Sequence, residues 1–198
     1  MTLRHPHFTT NDLSMFYRYL KTARVYMETG RGGSTLVACR EPSVETVVWV
    51  ESDPVWYEII KTGCEEYAEK MIPIFSGLNV DRQDNWGHPG PGCTDEQRRA
   101  YSDAWIVAMS THALRPDVVL VDGRFRVACC LKLFSRVDED CVILFDDFFP
   151  RLDMYGAVLE YFEVVEQTVD QNMIVLRKKK HSTPPPPAMI ARYELDSR

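Results

Sequence analysis

The segment Val25-Tyr26-Met27-Glu28-Thr29-Gly30-Arg31-Gly32-Gly33-Ser34-Thr35 passes from a short apolar strand pattern into a glycine-rich turn and then into a helix. Glycines at 30, 32 and 33 let the backbone bend sharply and let a ligand come close, because no Cβ intervenes. The helix that follows opens with backbone N–H groups directed at such a ligand.

Working outward, Thr46-Val47-Val48-Trp49-Val50 reads as a buried strand ending in Glu51. An acid about 20 residues past a glycine turn is placed to hold ribose hydroxyls in a Rossmann-type site. Upstream, residues 11–21 read as a helix capped by Thr9 or Thr10. Downstream, strand and helix signals alternate. Asp53-Pro54 opens a helix running towards Tyr67, residues 72–75 form a strand, and 95–113 a helix. A strand over 117–121 ends in Asp122-Gly123, a helix follows over 125–134, and a strand over 141–145 ends in Asp146-Asp147. After a short helix over 153–159, runs at 161–169 and 173–177 form a hairpin about Asp170-Gln171-Asn172. Alternation of this kind gives a mostly parallel seven-stranded sheet with helices on both faces, closed by an antiparallel hairpin. Residues 76–96 break the pattern. They carry four glycines and two prolines with Asp81, Asp84, Trp86 and His88, and so long a loop is usually functional. Residues 1–180 are expected to form one domain. Residues 181–198, opening near prolines 184–187, form a tail in which the prolines read as a spacer in preference to a recognition ligand, and whether residues 188–198 dock on the domain is left open.

The chain has 198 residues, 45% hydrophobic and 26% charged, with a net charge of −6, which suits one soluble domain. That charge argues against nucleic acid as partner, and Arg177-Lys178-Lys179-Lys180 reads as a solvated strand end. The six cysteines form no CxxC pair, which disfavours zinc, and Cys129, Cys130 and Cys141 read as core. With no signal peptide or membrane-spanning run, the expectation is a reduced, cytoplasmic protein with no membrane partner. The oligomeric state is left open, a homodimer included.

The glycine turn resembles the first motif of class I S-adenosylmethionine-dependent methyltransferases, with Ser34 in place of that motif's last glycine. Glu51 looks like the acid of that family's second strand, and the closing hairpin is that family's variant of the fold. Val119 to Ala128 resembles a segment of a methyltransferase-like subgroup. Residues 143–149, with Asp146-Asp147, resemble the strand end of metal-dependent sugar O-methyltransferases. The resemblance spans roughly residues 22–178. It implies that Gly30, Gly32 and Gly33, with Ser34 and Thr35, pass under S-adenosylmethionine. Glu28 would anchor the loop or meet the cofactor's ammonium, and Glu51, with Ser52 beside it, would hold the ribose. Read from the residue itself, Trp86 would stack on adenine or on a sugar face.

Asp122, Asp146 and Asp147 fall at strand ends where open sheets bind ligands. Three oxygen ligands suit Mg²⁺ or another divalent cation, which would hold vicinal hydroxyls and acidify the one attacked; the competing reading is that they shape turns and caps. Without a metal, Asp122, Asp147 or His88 would be the general base. Arg124, Arg126 and Arg151 would bind an anion or neutralise these aspartates. The function expected is O-methylation of a small molecule, a sugar or glycan residue by preference. A nicotinamide-dependent oxidoreductase and a non-catalytic binding module are the alternatives.

Overall fold

A computed structural model describes residues 6–30, 32–80, 86–170 and 172–198. The expected Asp81, Asp84 and Gln171, and Arg31 of the glycine turn, lie outside the described residues. Helix α1 (Thr10–Leu20) starts at a capping box in which Thr9 and Asp12 each bind the other's backbone N–H. Strand β1 (Val25–Thr29) leads to α2 (Gly33–Arg40), and β2 (Thr46–Glu51) to α3 (Pro54–Gly63). Asp53 caps α3 by accepting from Val55 and Trp56 N–H at 2.8 and 3.2 Å, with proline in the first turn. A 3₁₀ segment over 65–70 replaces the end of the longer helix expected there, and β3 (Met71–Phe75) follows.

Helix α4 (Asp95–Thr111) precedes β4 (Val118–Val121), α5 (Arg126–Leu133) and β5 (Val142–Phe145). The short helix expected at 153–159 is a single α-turn, α6 (Leu152–Tyr155), between two 3₁₀ segments. Strands β6 (Phe162–Gln167) and β7 (Ile174–Lys178) make the hairpin, and α7 (Pro187–Tyr193) closes the chain.

The seven strands are ordered β3-β2-β1-β4-β5-β7-β6. The first five pair in parallel, and β7 pairs antiparallel with both β5 and β6. This is the Rossmann-like methyltransferase fold with its closing hairpin. Apolar residues on alternate strand positions face two separate cores. Met27, Val48, Val119 and Ile143 pack beneath α4 and α5, and Tyr26, Val47, Trp49 and Leu144 pack with Phe16 and Leu20 of α1.

Of the two courses left open for the end of the tail, the structure has it docked. Met189, Ile190 and Tyr193 pack on the α4–α5 core. Glu194 binds Lys132 of α5 at 2.6 Å, and the Arg126 N–H donates to the Arg198 carbonyl at 3.3 Å.

Candidate functional site

The strand order reverses between β1 and β4, and open sheets place their ligand crevice outside the strand ends at such a point. Thr29 and Val121 are in register there, so the turns leaving the two strands meet. A Cβ on Gly30 would lie 2.6 Å from the carbonyl carbon of Asp122 and from Gly123 N, and one on Gly123 would strike the Tyr101 hydroxyl. Gly30 is therefore glycine because two backbones touch, a demand added to the sharp bend that the sequence implied. Gly32 differs. At φ +134° its imagined Cβ has no atom within 4 Å, and it begins α2 without a side-chain cap.

Glu28 is buried beneath this turn. It accepts from Tyr26 Oη at 2.8 Å and from Thr35 Oγ1, and Ser34 also binds it. Burial raises its carboxyl to about 7 against the pull of those three donors. Of the two roles expected of Glu28, the structure shows loop anchoring. The Ser34 and Thr35 hydroxyls both serve that anchor. Next to them the Thr29 hydroxyl is buried with no partner among the described residues. At the end of β2, Glu51 Oε1 accepts from Ser52 and Asp53 N–H, each at 2.6 Å. These features fit a nucleoside cofactor: an orphaned hydroxyl, an open glycine floor and an acid at the neighbouring strand tip.

A cavity of about 490 Å³ adjoins Ser52 on the β2–β3 side, between Phe75, Ser76, Asn79 and Gln97. Phe75 is half exposed at its rim; its place at the end of β3 was the only sign of it in the sequence. Trp86 does not line this cavity. It is 65% exposed, at φ +51°, with its ring edge-on to His7 at 5.6 Å. The segment beyond it crosses the crevice, for Ser52 Oγ donates to the Gly87 carbonyl at 3.4 Å and His88 Nε2 lies 2.8 Å from Arg124 Nη1.

The three aspartates at the ends of β4 and β5 do converge, but around a guanidinium. Arg126, 3% exposed, donates to Asp122 Oδ1 at 3.0 Å, lies 3.6 Å from Asp147 Oδ2, and binds the Asp122, Gly123 and Asp146 carbonyls. Arg151 takes the same Asp147 oxygen at 3.1 Å. Asp146 accepts from Asn172 Nδ2 at 3.1 Å, and burial, then the charge on Asp122, pushes its carboxyl well up. The set Asp122, Asp146 and Asp147 therefore does not fit the divalent cation expected of it. A cation of the protein's own already balances two of the carboxylates, and the third is stabilised in its neutral form. Among the described residues no cluster of His, Cys, Asp or Glu could hold a metal. The i, i+4 spacing from Asp122 to Arg126 was the signal for this pairing.

Asp122 keeps a quarter of its side chain exposed. Burial raises its carboxyl, Arg126 opposes the rise and Asp147 adds to it, and the remaining exposure tempers the shift. Asp147 stands in the left-handed region at φ +58°, and the buried Phe125 at +53°. Such strain collects at functional sites. His88 is held below the usual imidazole range by burial and by Arg124 and Arg151.

No protein-family model matches the chain, and no curated protein sequence does. Among solved structures it is similar to a methyltransferase-like protein from Silicibacter pomeroyi, with 26% identity, 98% of each chain covered and a TM-score of 0.81. An S-adenosylhomocysteine-bound methyltransferase from Podospora anserina shares the fold at 16% identity, over 85% of this chain and 78% of that one, with a TM-score of 0.56. So does an O-methyltransferase from Bacillus cereus in complex with S-adenosylhomocysteine, at 14% identity over 88% and 83%, TM-score 0.55. The architecture is that of class I S-adenosylmethionine-dependent methyltransferases.

Proposed function

We propose that this protein is an S-adenosylmethionine-dependent methyltransferase that modifies a hydroxyl of a small molecule. One observation carries the reading: at the reversal of strand order stand an open glycine floor and a Thr29 hydroxyl with no partner among the described residues, and the adjacent strand β2 ends in Glu51. When bound, the cofactor supplies a methyl group already activated on a sulfonium, so the protein's task is alignment and removal of one proton.

Gly32 and the first turn of α2 would receive the amino-acid end, Glu51 the ribose, and the Ser52–Phe75 cavity the base. Gly30 and Gly123 keep the β1 and β4 turns in contact and so fix the distance between cofactor and acceptor. Asp122 is the general base. It is the partly exposed carboxylate at the β4 end, and burial raises its pKa in the direction that favours proton abstraction near neutrality. Arg126 orients it. His88, the other base considered, has its Nε2 occupied by the Arg124 guanidinium, which leaves the role to Asp122. No step passes through a metal, because Arg126 stands among the carboxylates. The sugar acceptor expected from Asp146-Asp147 loses its main support for the same reason. A hydroxylated small molecule remains the acceptor class, and the net charge of −6 still disfavours nucleic acid. No described helix is long and apolar enough to cross a membrane.

Thermal unfolding with S-adenosylhomocysteine, adenosine and NAD tests the cofactor. Adenosylhomocysteine at a hundredfold excess over Kd should stabilise by about 2.7 kcal/mol. Stabilisation by NAD alone makes the protein an oxidoreductase, and stabilisation by none removes the cofactor assignment. Asp122→Asn should lower transfer of labelled methyl to pooled hydroxy compounds by about a hundredfold or more, with adenosylhomocysteine affinity retained. Prior treatment with EDTA should leave the transfer rate unchanged.

A further inference from the structure

Arg124 and Arg126 leave the same turn and are both buried, yet only one is neutralised. Arg126 has Asp122, Asp147 and three backbone carbonyls. Arg124, 7% exposed, makes no ion pair with any described carboxylate. Its Nη1 meets His88, and its Nε is buried with no partner among the described residues. A guanidinium cannot shed its charge as a buried lysine can. Enclosing one beside a second guanidinium, without a paired counter-charge, costs solvation that the contact with a neutral His88 returns only in part.

We propose that the methyl acceptor is a small hydroxylated anion, and that Arg124, held by His88, is the subsite for its carboxylate or phosphate group. This rests on the methyltransferase reading above and names the acceptor class for the same site.

The surroundings agree. Burial and the neighbouring Arg126 disfavour the charged form of Arg124, and Tyr101, Tyr155 and Asp122 offset this only in part, none of them bonding the guanidinium. Arg124 and Arg151 in turn keep His88 neutral. A neutral His88 with Nε2 towards the arginine carries its proton on Nδ1, so it accepts from Arg124 and orients it without adding a competing charge. An arriving carboxylate or phosphate would bind the outer edge of the guanidinium, through the donors that His88 does not take. The subsite lies three residues past β4, on the β4–β5 side of the crevice. Glu51 and the Ser52–Phe75 cavity are on the opposite side, at β2 and β3. An anion seated on Arg124 would hold its molecule near Asp122, the proposed base, which shares the turn.

Protein loaded with S-adenosylhomocysteine is titrated with inorganic phosphate, with malate and with erythritol, a neutral polyol. The ¹H–¹⁵N shifts of the His88 ring are followed. Phosphate and malate should move them saturably, and erythritol should not. In Arg124→Met the affinity for malate should fall at least tenfold, with adenosylhomocysteine affinity within threefold of wild type. Arg124→Lys, which keeps charge but not the fork, should fall between the two and serves if the methionine variant does not fold. Anions that leave His88 unmoved, or that bind the variants as tightly as wild type, overturn the proposal. So does an Arg124 variant that loses adenosylhomocysteine yet keeps adenosine, because the subsite then belongs to the cofactor's own carboxylate. If adenosylhomocysteine does not bind at all while phosphate still moves His88, the anion subsite stands and the methyltransferase reading is what fails.

Discussion

Gly30 and Gly32 stand two positions apart and are glycine for different reasons. At Gly30, φ is +92° and the space for a side chain is filled by the Asp122–Gly123 backbone at 2.6 Å. Neither strand can yield without breaking its register with the other. Gly30→Ala should destabilise by about 3 kcal/mol or more, strain and overpacking adding together. Gly32 has the same conformational demand at +134° but open surroundings. Gly32→Ala should cost only roughly 1–3 kcal/mol, and adenosylhomocysteine affinity should drop about tenfold further because the methyl occupies the crevice floor. Urea denaturation with calorimetric titration separates the two. A Gly32→Ala protein that binds normally would show that the floor is not part of the cofactor site. The sequence marked both positions as special, but only the neighbouring strand tells them apart.

At the scale of elements, the tail shows what composition leaves open. Four prolines suggest a spacer, but only the stretch up to Pro186 is non-helical, and Pro187 opens a helix. They lead into an amphipathic turn of helix, α7, whose Met189, Ile190 and Tyr193 cover the α4–α5 core. Glu194 fixes it there through Lys132 at 2.6 Å, with both side chains nearly buried, and through Arg99 at 3.5 Å. Lys132 also holds Asp103 at 2.6 Å, so removing Glu194 does not leave it wholly unpaired. Glu194→Gln should therefore cost about 1–2 kcal/mol, less than breaking an isolated buried pair. An unchanged urea midpoint would mean that the helix is held by apolar packing alone. The helix and strand boundaries themselves were largely legible, since 3.6-residue and alternating periodicities reflect which face each element buries. The exceptions, at 65–70 and 149–160, are stretches where 3₁₀ turns replace a continuous α-helix.

For the whole molecule, acid groups buried without full compensation set the pH response. Glu28 rises to about 7 from an ordinary 4.5, chiefly by burial, and Asp146 is raised by burial and Asp122. A carboxyl whose folded pKa is raised binds its proton more tightly in the native state. The stability it contributes is present at low pH and is lost as pH rises through the folded value. Folding stability should thus decline between pH 5 and 8. Glu28→Gln, which keeps hydrogen bonding to the Tyr26 and Thr35 hydroxyls, should flatten that decline by about 2–3 kcal/mol. Chemical denaturation of both proteins across that range measures it. An identical slope in the two would show that Glu28 is ionised in the folded protein throughout.

The order of elements, the parallel sheet with its closing hairpin, and the glycine turn facing Glu51 were determined by the sequence alone. They come from periodicity and from residues whose backbone needs are local. The sequence also brought Asp122, Asp146 and Asp147 to one rim, because strand ends in such a sheet converge. Their electrostatic partner is another matter. Whether three aspartates receive a metal ion or an arginine depends on where a side chain from the next helix comes to rest. Arg126 reaches them only because α5 begins against the turn of β4 and is packed there by α4 and α7. Tertiary structure alone made that choice. It also left Arg124, two residues earlier in the same turn, buried without a counter-charge, since burial and pairing are properties of neighbours that lie far apart in the chain.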